Sequence, residues 1–232
     1  MMSLQQVVPG FHCINLGFVN AYLLEVQDGL VLIDTGIPNS AEKILSSVAS
    51  LGKQSSDIKH ILVTHLHGDH TGSLAAIKKA TGAPVSMHTL DAQLVRIGQA
   101  GRPVQPAPGL FNRFIVFMMS RRGPIPIEPS ETENELSDGQ ILEAVAGIKV
   151  IHAPGHAAGQ VAFLIPIHGG ILVAADSCNN RSGLGFPPIF ENMDDGIQTL
   201  KKLSALDFEV AVFGHGKPII SGASKAFKEK WG

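Results

Sequence analysis

Residues 64–70, THLHGDH, carry three histidines and one aspartate. Imidazole and carboxylate together suit Zn, Mn or Fe, and clusters of this kind are expected at metal and catalytic sites. His65 and His67 are two apart, so on an extended strand end their side chains project to the same side. Asp69 and His70 can curl round to a neighbouring point, and one short loop could then feed two metals. The plain alternative is a polar surface loop, but three of the chain's ten histidines in six residues make chance a poor account. The two cysteines, Cys13 and Cys178, lie far apart and form no CxxC pair. That argues against a disulfide framework or a thiolate zinc site and leaves both as free thiols.

A loop with four donors needs partners, and three candidates each follow an apolar run: His156 in HAPGH, Asp176 after ILVAA, and His215 in FGHG. Singly, each has an ordinary reading, since polar residues after strands are commonly turn formers or helix caps. Together they form a pattern, with Gly155, Gly214 and Gly216 giving the backbone room to bend beside them.

The elements that must position these residues alternate. Residues 11–15, 21–26 and 30–33 read as strands, with Asp28-Gly29 as a hairpin signal. Ser40 reads as the cap of a helix over 41–51 whose apolar residues Ile44, Leu45, Val48 and Leu51 keep helical spacing, with Gly52 as its stop. Residues 58–63 read as a buried strand running directly into the histidines. A helix over 73–81 closed by Gly82 and a strand over 85–88 follow. Further on, 148–151, 161–167, 171–175 and 210–213 read as strands and 194–206 as a helix. Hairpins in both halves with helices between them predict two mixed β-sheets packed face to face with helices outside, a four-layer αββα sandwich in one domain spanning 1–232.

Residues 98–138 interrupt this order with a Gly- and Pro-rich segment around LFNRFIVFMMSRR. Phe111, Phe114, Ile115, Phe117 and Met118 give its middle an apolar face at helical spacing. Three readings stand: a helix packed on the core, a lid or substrate wall using Phe111, Phe114, Ile115 and Met118, and a homodimer contact.

Bulk properties narrow the partners. A chain of 232 residues, 44% apolar with net charge −2, is long enough to bury a sizeable core. It has no basic run longer than a pair, so neither a nucleic-acid surface nor a polybasic membrane patch is expected, and a small-molecule substrate is. No signal-like N-terminus and no apolar run near ~20 residues are present, which points to a cytoplasmic protein.

The HxHxDH pattern at His65, His67, Asp69 and His70, followed in order by His156, Asp176 and His215, resembles the metallo-β-lactamase superfamily, as does DTG at residues 34–36. The resemblance covers almost the whole chain. It implies an αββα fold with a site at one edge between the sheets, usually holding two zinc ions, with Fe or Mn as alternatives. Carried over, His65, His67 and His156 hold one metal, Asp69, His70 and His215 the other, and Asp176 bridges them. A metal-bridging hydroxide is then the nucleophile, with Asp69 orienting it and Asp34 orienting ligands from behind. A plain turn residue is the equal alternative for Asp34. His67 stands where the flavodiiron branch typically has Glu, which disfavours a redox di-iron role.

Two departures touch the surroundings: Ala157-Ala158-Gly159 replaces a common Thr-Pro-Gly, and Ala175 replaces a frequent glycine. The end at Gly232 is not expected to accommodate the helical domain of glyoxalase II. The leading expectation is a hydrolase of a thioester, lactone, other ester or β-lactam. The alternatives are a mononuclear-iron oxidoreductase resembling persulfide dioxygenases, a phosphodiesterase, and a binding module without catalysis. His12, His60, His88, His152 and His168 are expected to be structural or solvent-facing, and Cys178 an inert thiol near the site.

Overall fold

The computed structural model describes residues 4–232. The chain opens with four strands joined by tight turns, β1 (Leu4–Val8), β2 (Phe11–Asn15), β3 (Asn20–Val26) and β4 (Gly29–Ile33). Gly29 heads β4 at φ 151°, a backbone state that suits glycine and lets β3 turn directly into β4. Helix α1 (Ala41–Ser50) crosses over to β5 (Ile58–Leu62). The turn α2 (Gly68–Thr71), helix α3 (Leu74–Thr81), β6 (Val85–His88) and α4 (Thr89–Val95) follow. Next come β7 (Gln105–Pro106), α5 (Leu110–Arg122), β8 (Asn134–Leu136) and β9 (Ile141–Leu142). Then β10 (Ile148–His152), β11 (Val161–Ile165), β12 (Ile171–Val173) and β13 (Ile189–Phe190) lead to α6 (Met193–Ser204), β14 (Val210–Val212) and α7 (Ala223–Trp231).

Two mixed sheets result. One has seven strands in the order β1-β2-β3-β4-β5-β6-β8, antiparallel up to β4 and parallel beyond it. The other has five in the order β14-β12-β11-β10-β9, with β12 and β14 parallel. Side chains alternate along each strand, so both faces of the inner strands are apolar. In β3, Tyr22 and Leu24 face the second sheet while Ala21 and Leu23 face outward. Phe163 and Ile165 meet the former set from β11. The outward faces are covered by Ile44, Val48 and Ile77 from α1 and α3 on one side, and by Leu200, Leu203 and Phe227 from α6 and α7 on the other. This is the four-layer αββα sandwich, with its main core between the sheets. No helix among the described residues is long and apolar enough to cross a membrane.

Local outcomes differ from expectation in instructive places. Ser40 offers α1 no side-chain cap; its N–H instead donates to Ser73 Oγ at 2.8 Å, tying α1 to the start of α3. Gly52 and Gly82 do stop their helices, at φ 72° and 70°. The strand expected over 171–175 ends at Val173 because Ala175 turns the chain at φ 49°. The 98–138 segment is not one insertion: its last part supplies β8, an edge strand of the larger sheet. Its first part pairs as β7 with β13 in a two-stranded ribbon. Helix α5 is not a core helix. Leu110, Phe111, Phe114 and Phe117 are all more than half exposed, with Phe111 at 74%, so none of these four is buried in the sandwich.

Candidate metal centre

Strand ends carry the site. Leaving β5, Thr64 and His65 continue the buried line of the strand, and α2 then curls His67, Asp69 and His70 onto one side. That turn is held by Thr71 Oγ1, which donates to Leu66 O and His67 O at 3.0 Å each. His156, Asp176 and His215 enter from the loops after β10, β12 and β14.

The structure brings all seven residues together. Three donor sets, each with ligand atoms within 4.8 Å of one another, are His65/His67/His156, His65/His70/Asp176 and Asp69/His70/His215. Asp176 lies between them: its Oδ2 is 3.5 Å from His156 Nε2 and 3.1 Å from His215 Nε2, and its Oδ1 is 3.6 Å from His70 Nε2. Asp69 Oδ2 stands 3.3 Å from His215 Nε2.

Hydrogen bonds behind the rings fix which nitrogen faces inward. Carbonyl and carboxylate oxygens only accept, so His156 Nδ1 donates to Ile189 O at 3.0 Å, His215 Nδ1 to Phe18 O at 2.6 Å and His70 Nδ1 to Asp34 Oδ2 at 2.8 Å. Each leaves its Nε2 lone pair for the centre, the arrangement that metal-ligating imidazoles adopt. His65 Nε2, His70 Nε2 and Asp176 Oδ1 are buried with no hydrogen-bond partner. Buried polar atoms are ordinarily paired, and here three unpaired ones converge on a nitrogen and oxygen donor set that fits divalent zinc-like ions.

Electrostatics agree. Burial holds His65, His67 and His156 neutral, with His67 pushed down to about 3, so the first set offers three neutral imidazoles. His70 and His215 go the other way. Burial alone would lower them, but for His70 the carboxylates of Asp176, Asp34 and Asp69 prevail, and for His215 those of Asp176 and Asp69 raise it to about 10. Without metal, protons on these two rings balance the carboxylates.

Asp34 stands behind the ligands, at 2% exposure. It accepts from Thr64 N–H and Oγ1–H at 2.8 Å each and from His70, and Thr64 Oγ1 lies 3.0 Å from His65 Nδ1. Its φ of 62° is a left-handed conformation costing about 1 kcal/mol, held in place by these bonds. It is thus a turn residue that also accepts from His70.

Sequence reasoning missed a second anchoring group. Asp91, fully buried on α4, accepts from Leu66 N–H at 3.0 Å and Gly159 N–H at 3.1 Å, and pairs with Arg102 Nη1 at 2.7 Å. Glu191 Oε1 lies 3.4 Å from the same guanidinium, and its Oε2 accepts from Ala158 N–H at 2.8 Å. The His65–His67 loop and the loop after His156 are thereby bolted together through Leu66, Ala158 and Gly159 N–H groups. Acidic residues on a helix carry no signal for such long-range partners.

The remaining expectations are placed as follows. Phe111 and Ile115 line a cleft that opens onto Asp176 and His215, whereas Phe114 and Met118 are not among its lining residues. His12 pairs with Glu25, His88 stacks on His152 at 4.3 Å, and His168 donates to Pro9 O. None of the five other histidines belongs to the three donor sets. Cys178 is buried, and burial pushes its thiol up, leaving it unreactive.

Gly214 yields a sharp expectation. A Cβ there would overlap Asp176 Oδ1 and come within 2.7 Å of His70 Cε1. Gly214→Ala removes none of the clustered donors, yet it should displace two of them, Asp176 and His70, and lower activity on the order of 100-fold. Parent-like metal content and activity in that variant would contradict the packing described.

Comparison with known proteins gives the same picture. The sequence pattern of the Metallo-beta-lactamase superfamily matches residues 14–215. The Bacillus subtilis protein YobT is 30% identical over 211 residues, covering 86% of this chain and 83% of its own. An N-acyl homoserine lactonase from Bacillus sp is 22% identical over 224 residues, 84% of this chain and 79% of its own. Among solved structures, a beta-lactamase from Chitinophaga pinensis superposes with a TM-score of 0.74 at 22% identity, covering 98% of this chain and 89% of that one.

Proposed function

The chain belongs to the metallo-beta-lactamase superfamily, and from that membership we propose that it is a metal-dependent hydrolase of a carbonyl compound, holding two zinc ions and cleaving an ester, thioester, lactone or β-lactam. The observation that carries the reading is the convergence of three unpaired buried donor atoms within a seven-residue His/Asp cluster. The similarity to an N-acyl homoserine lactonase supports a carbonyl substrate.

His65, His67 and His156 would hold one ion, Asp69, His70 and His215 the second, with Asp176 shared. When bound, such ions supply Lewis acidity and lower the pKa of water toward neutrality. The protein's own part is placement. Asp34 and Ile189 O accept from the Nδ1–H groups of His70 and His156, so that Nε2 is the nitrogen each ring would offer to an ion. Asp69, with 18% of its side chain exposed, is the more exposed of the two clustered carboxylates, Asp176 standing at 4%. Its carboxylate oxygens can accept a hydrogen bond from the attacking water and so aim it at the substrate carbonyl, taking part in proton transfer. Phe111 and Ile115 give the cleft an apolar wall from α5.

The test pairs metal analysis with a panel of thioesters, lactones, β-lactams and phosphodiesters. Zinc-loaded protein should hydrolyse a carbonyl substrate, and Asp69→Ala should lower kcat on the order of 10²–10⁴-fold. Undiminished activity in that variant would refute the role given to Asp69. One iron per chain with oxygen uptake would replace hydrolysis altogether.

A further inference from the structure

The cleft above the metal centre, about 200 Å³, is bounded by Phe111 and Ile115 of α5 on one side and by the 179–188 segment on the other. Apart from His215, it has one basic side chain among the described residues, Arg181. Its guanidinium forms no ion pair with a carboxylate among the described residues. Nη2 sits 3.0 Å from His215 Nδ1 and 3.4 Å from Phe18 O. His215 Nδ1 already donates to Phe18 O at 2.6 Å, so it has no lone pair for the arginine, and the bond to Phe18 O is long. The charge therefore faces the cleft with most of its donors free, next to a cluster built to take cations.

This position is fixed by backbone. Asn180 N–H donates to His215 O at 3.1 Å, Lys217 N–H donates to Asn180 O at 3.0 Å, and Asn180 Nδ2 donates to Lys217 O at 2.8 Å. Gly216, at φ 101°, lies so close to Asn180 that a Cβ would overlap its carbonyl. Arg181 is thus carried on the same bridge as the ligand His215, which sets its distance from the centre.

We infer that Arg181 recognises a carboxylate on the substrate, so that the compound cleaved is an acyl ester, thioester or lactam bearing one carboxylate near the scissile carbonyl and an apolar portion lying against Phe111, Ile115 and Phe186. A guanidinium pairs with a planar carboxylate through two parallel N–H donors. A single carboxylate matches the single guanidinium; a phosphate monoester would call for further cations, and the cleft supplies no other lysine or arginine. The assignment of substrate class rests on the hydrolase reading, while the anion site itself does not.

Two ligand pairs differing only in the carboxylate test it. Metal-loaded protein is assayed for thioester cleavage on S-hexanoyl thioglycolic acid and on its methyl ester, and binding of two uncleavable thioethers, S-hexyl thioglycolic acid and the methyl ketone that replaces its carboxylate, is followed by calorimetry. The parent should prefer the acid in both assays. Arg181→Gln should cut the acid-to-ester ratio of kcat/KM about 10- to 100-fold, mainly through KM, and cut the ratio of thioether affinities similarly, with Arg181→Lys recovering part of each. Equal binding of the two thioethers by the parent, or an unchanged ratio in Arg181→Gln, overturns the assignment and leaves hydrolysis standing. Arg181-dependent binding of the acid without cleavage of either thioester upholds the anion site and removes thioesters from the hydrolase reading.

Discussion

Treatment with a chelator is expected to abolish hydrolysis and to lower the thermal midpoint by about 8–16 °C. Metal held at a free concentration about 1,000-fold above its Kd stabilises the native state by about 4 kcal/mol, and for a chain of this size each kcal/mol moves the midpoint by about 2–4 °C. The sign of the pH effect follows from the raised histidines. His70 and His215, the latter at about 10, carry protons at neutral pH in the metal-free protein and must shed them to bind. Loading therefore releases protons, and apparent affinity falls as pH falls. The metal-free protein depends on pH in the opposite sense. The stabilisation from its protonated, carboxylate-paired rings is complete below their unfolded value near 6.5 and is lost as pH climbs through about 10. Calorimetry in buffers of different ionisation enthalpy counts the released protons, and a scan before and after chelation reads the midpoint. A chelator-treated protein with unaltered midpoint and activity would show that the cluster holds nothing.

The second large effect belongs to Asp34, which touches no substrate. Asp34→Ala strands the Thr64 N–H and the His70 Nδ1–H in a dry interior, costing about 1–3 kcal/mol for each buried group left unpaired. Asp34→Asn is the more discriminating change. The Thr64 N–H cannot turn, so the amide oxygen must stay there and the NH₂ must occupy the Oδ2 position, where it meets the His70 Nδ1–H. His70 then shifts its proton to Nε2, the atom 3.6 Å from Asp176, and loses its lone pair for the centre. Metal affinity or activity should fall about 10- to 100-fold. Metal content should drop relative to the parent while far-ultraviolet circular dichroism stays the same. If Asp34→Asn retained full metal content and activity, Asp34 would be only the turn residue that its φ of 62° also makes it.

The seven clustered donors were legible because they are local and typed: three histidines and Asp69 at a strand end, and three more donors each following an apolar run. The sheets were legible for the same reason, since strands such as β4 and β11 are apolar on both faces and glycines mark their limits. What could not be read depends on distance or exposure. Two-residue strands such as β7 and β13 have no period at all. The apolar spacing of α5 is identical whether its face meets a core or solvent, and only the fold decided that. The Asp91–Arg102–Glu191 group includes a contact across 89 positions, from Arg102 to Glu191, and Arg181 became meaningful only when His215 lay beside it. Ala175 and Asp34 both take positive φ without being glycine, which residue type alone would not announce.

The order in which the chain is made gives the clasp between β3 and the last ligand loop a further significance. Tyr22 Oη donates to Phe213 O at 2.6 Å, and Asn20 Nδ2 donates to Phe213 O and Gly216 O at 3.1 and 2.9 Å, across sequence separations of 191 to 196 residues. A ribosome extending at about 5–20 residues per second exposes the N-terminal hairpins tens of seconds or less before their partners emerge. Until residues 213–216 arrive, β3 keeps its clasping donors without those acceptors, and the nascent chain owns six of the seven ligands but no closed site. The clasp on β3 and the arrival of the last clustered donor, His215, are therefore one and the same late event of synthesis.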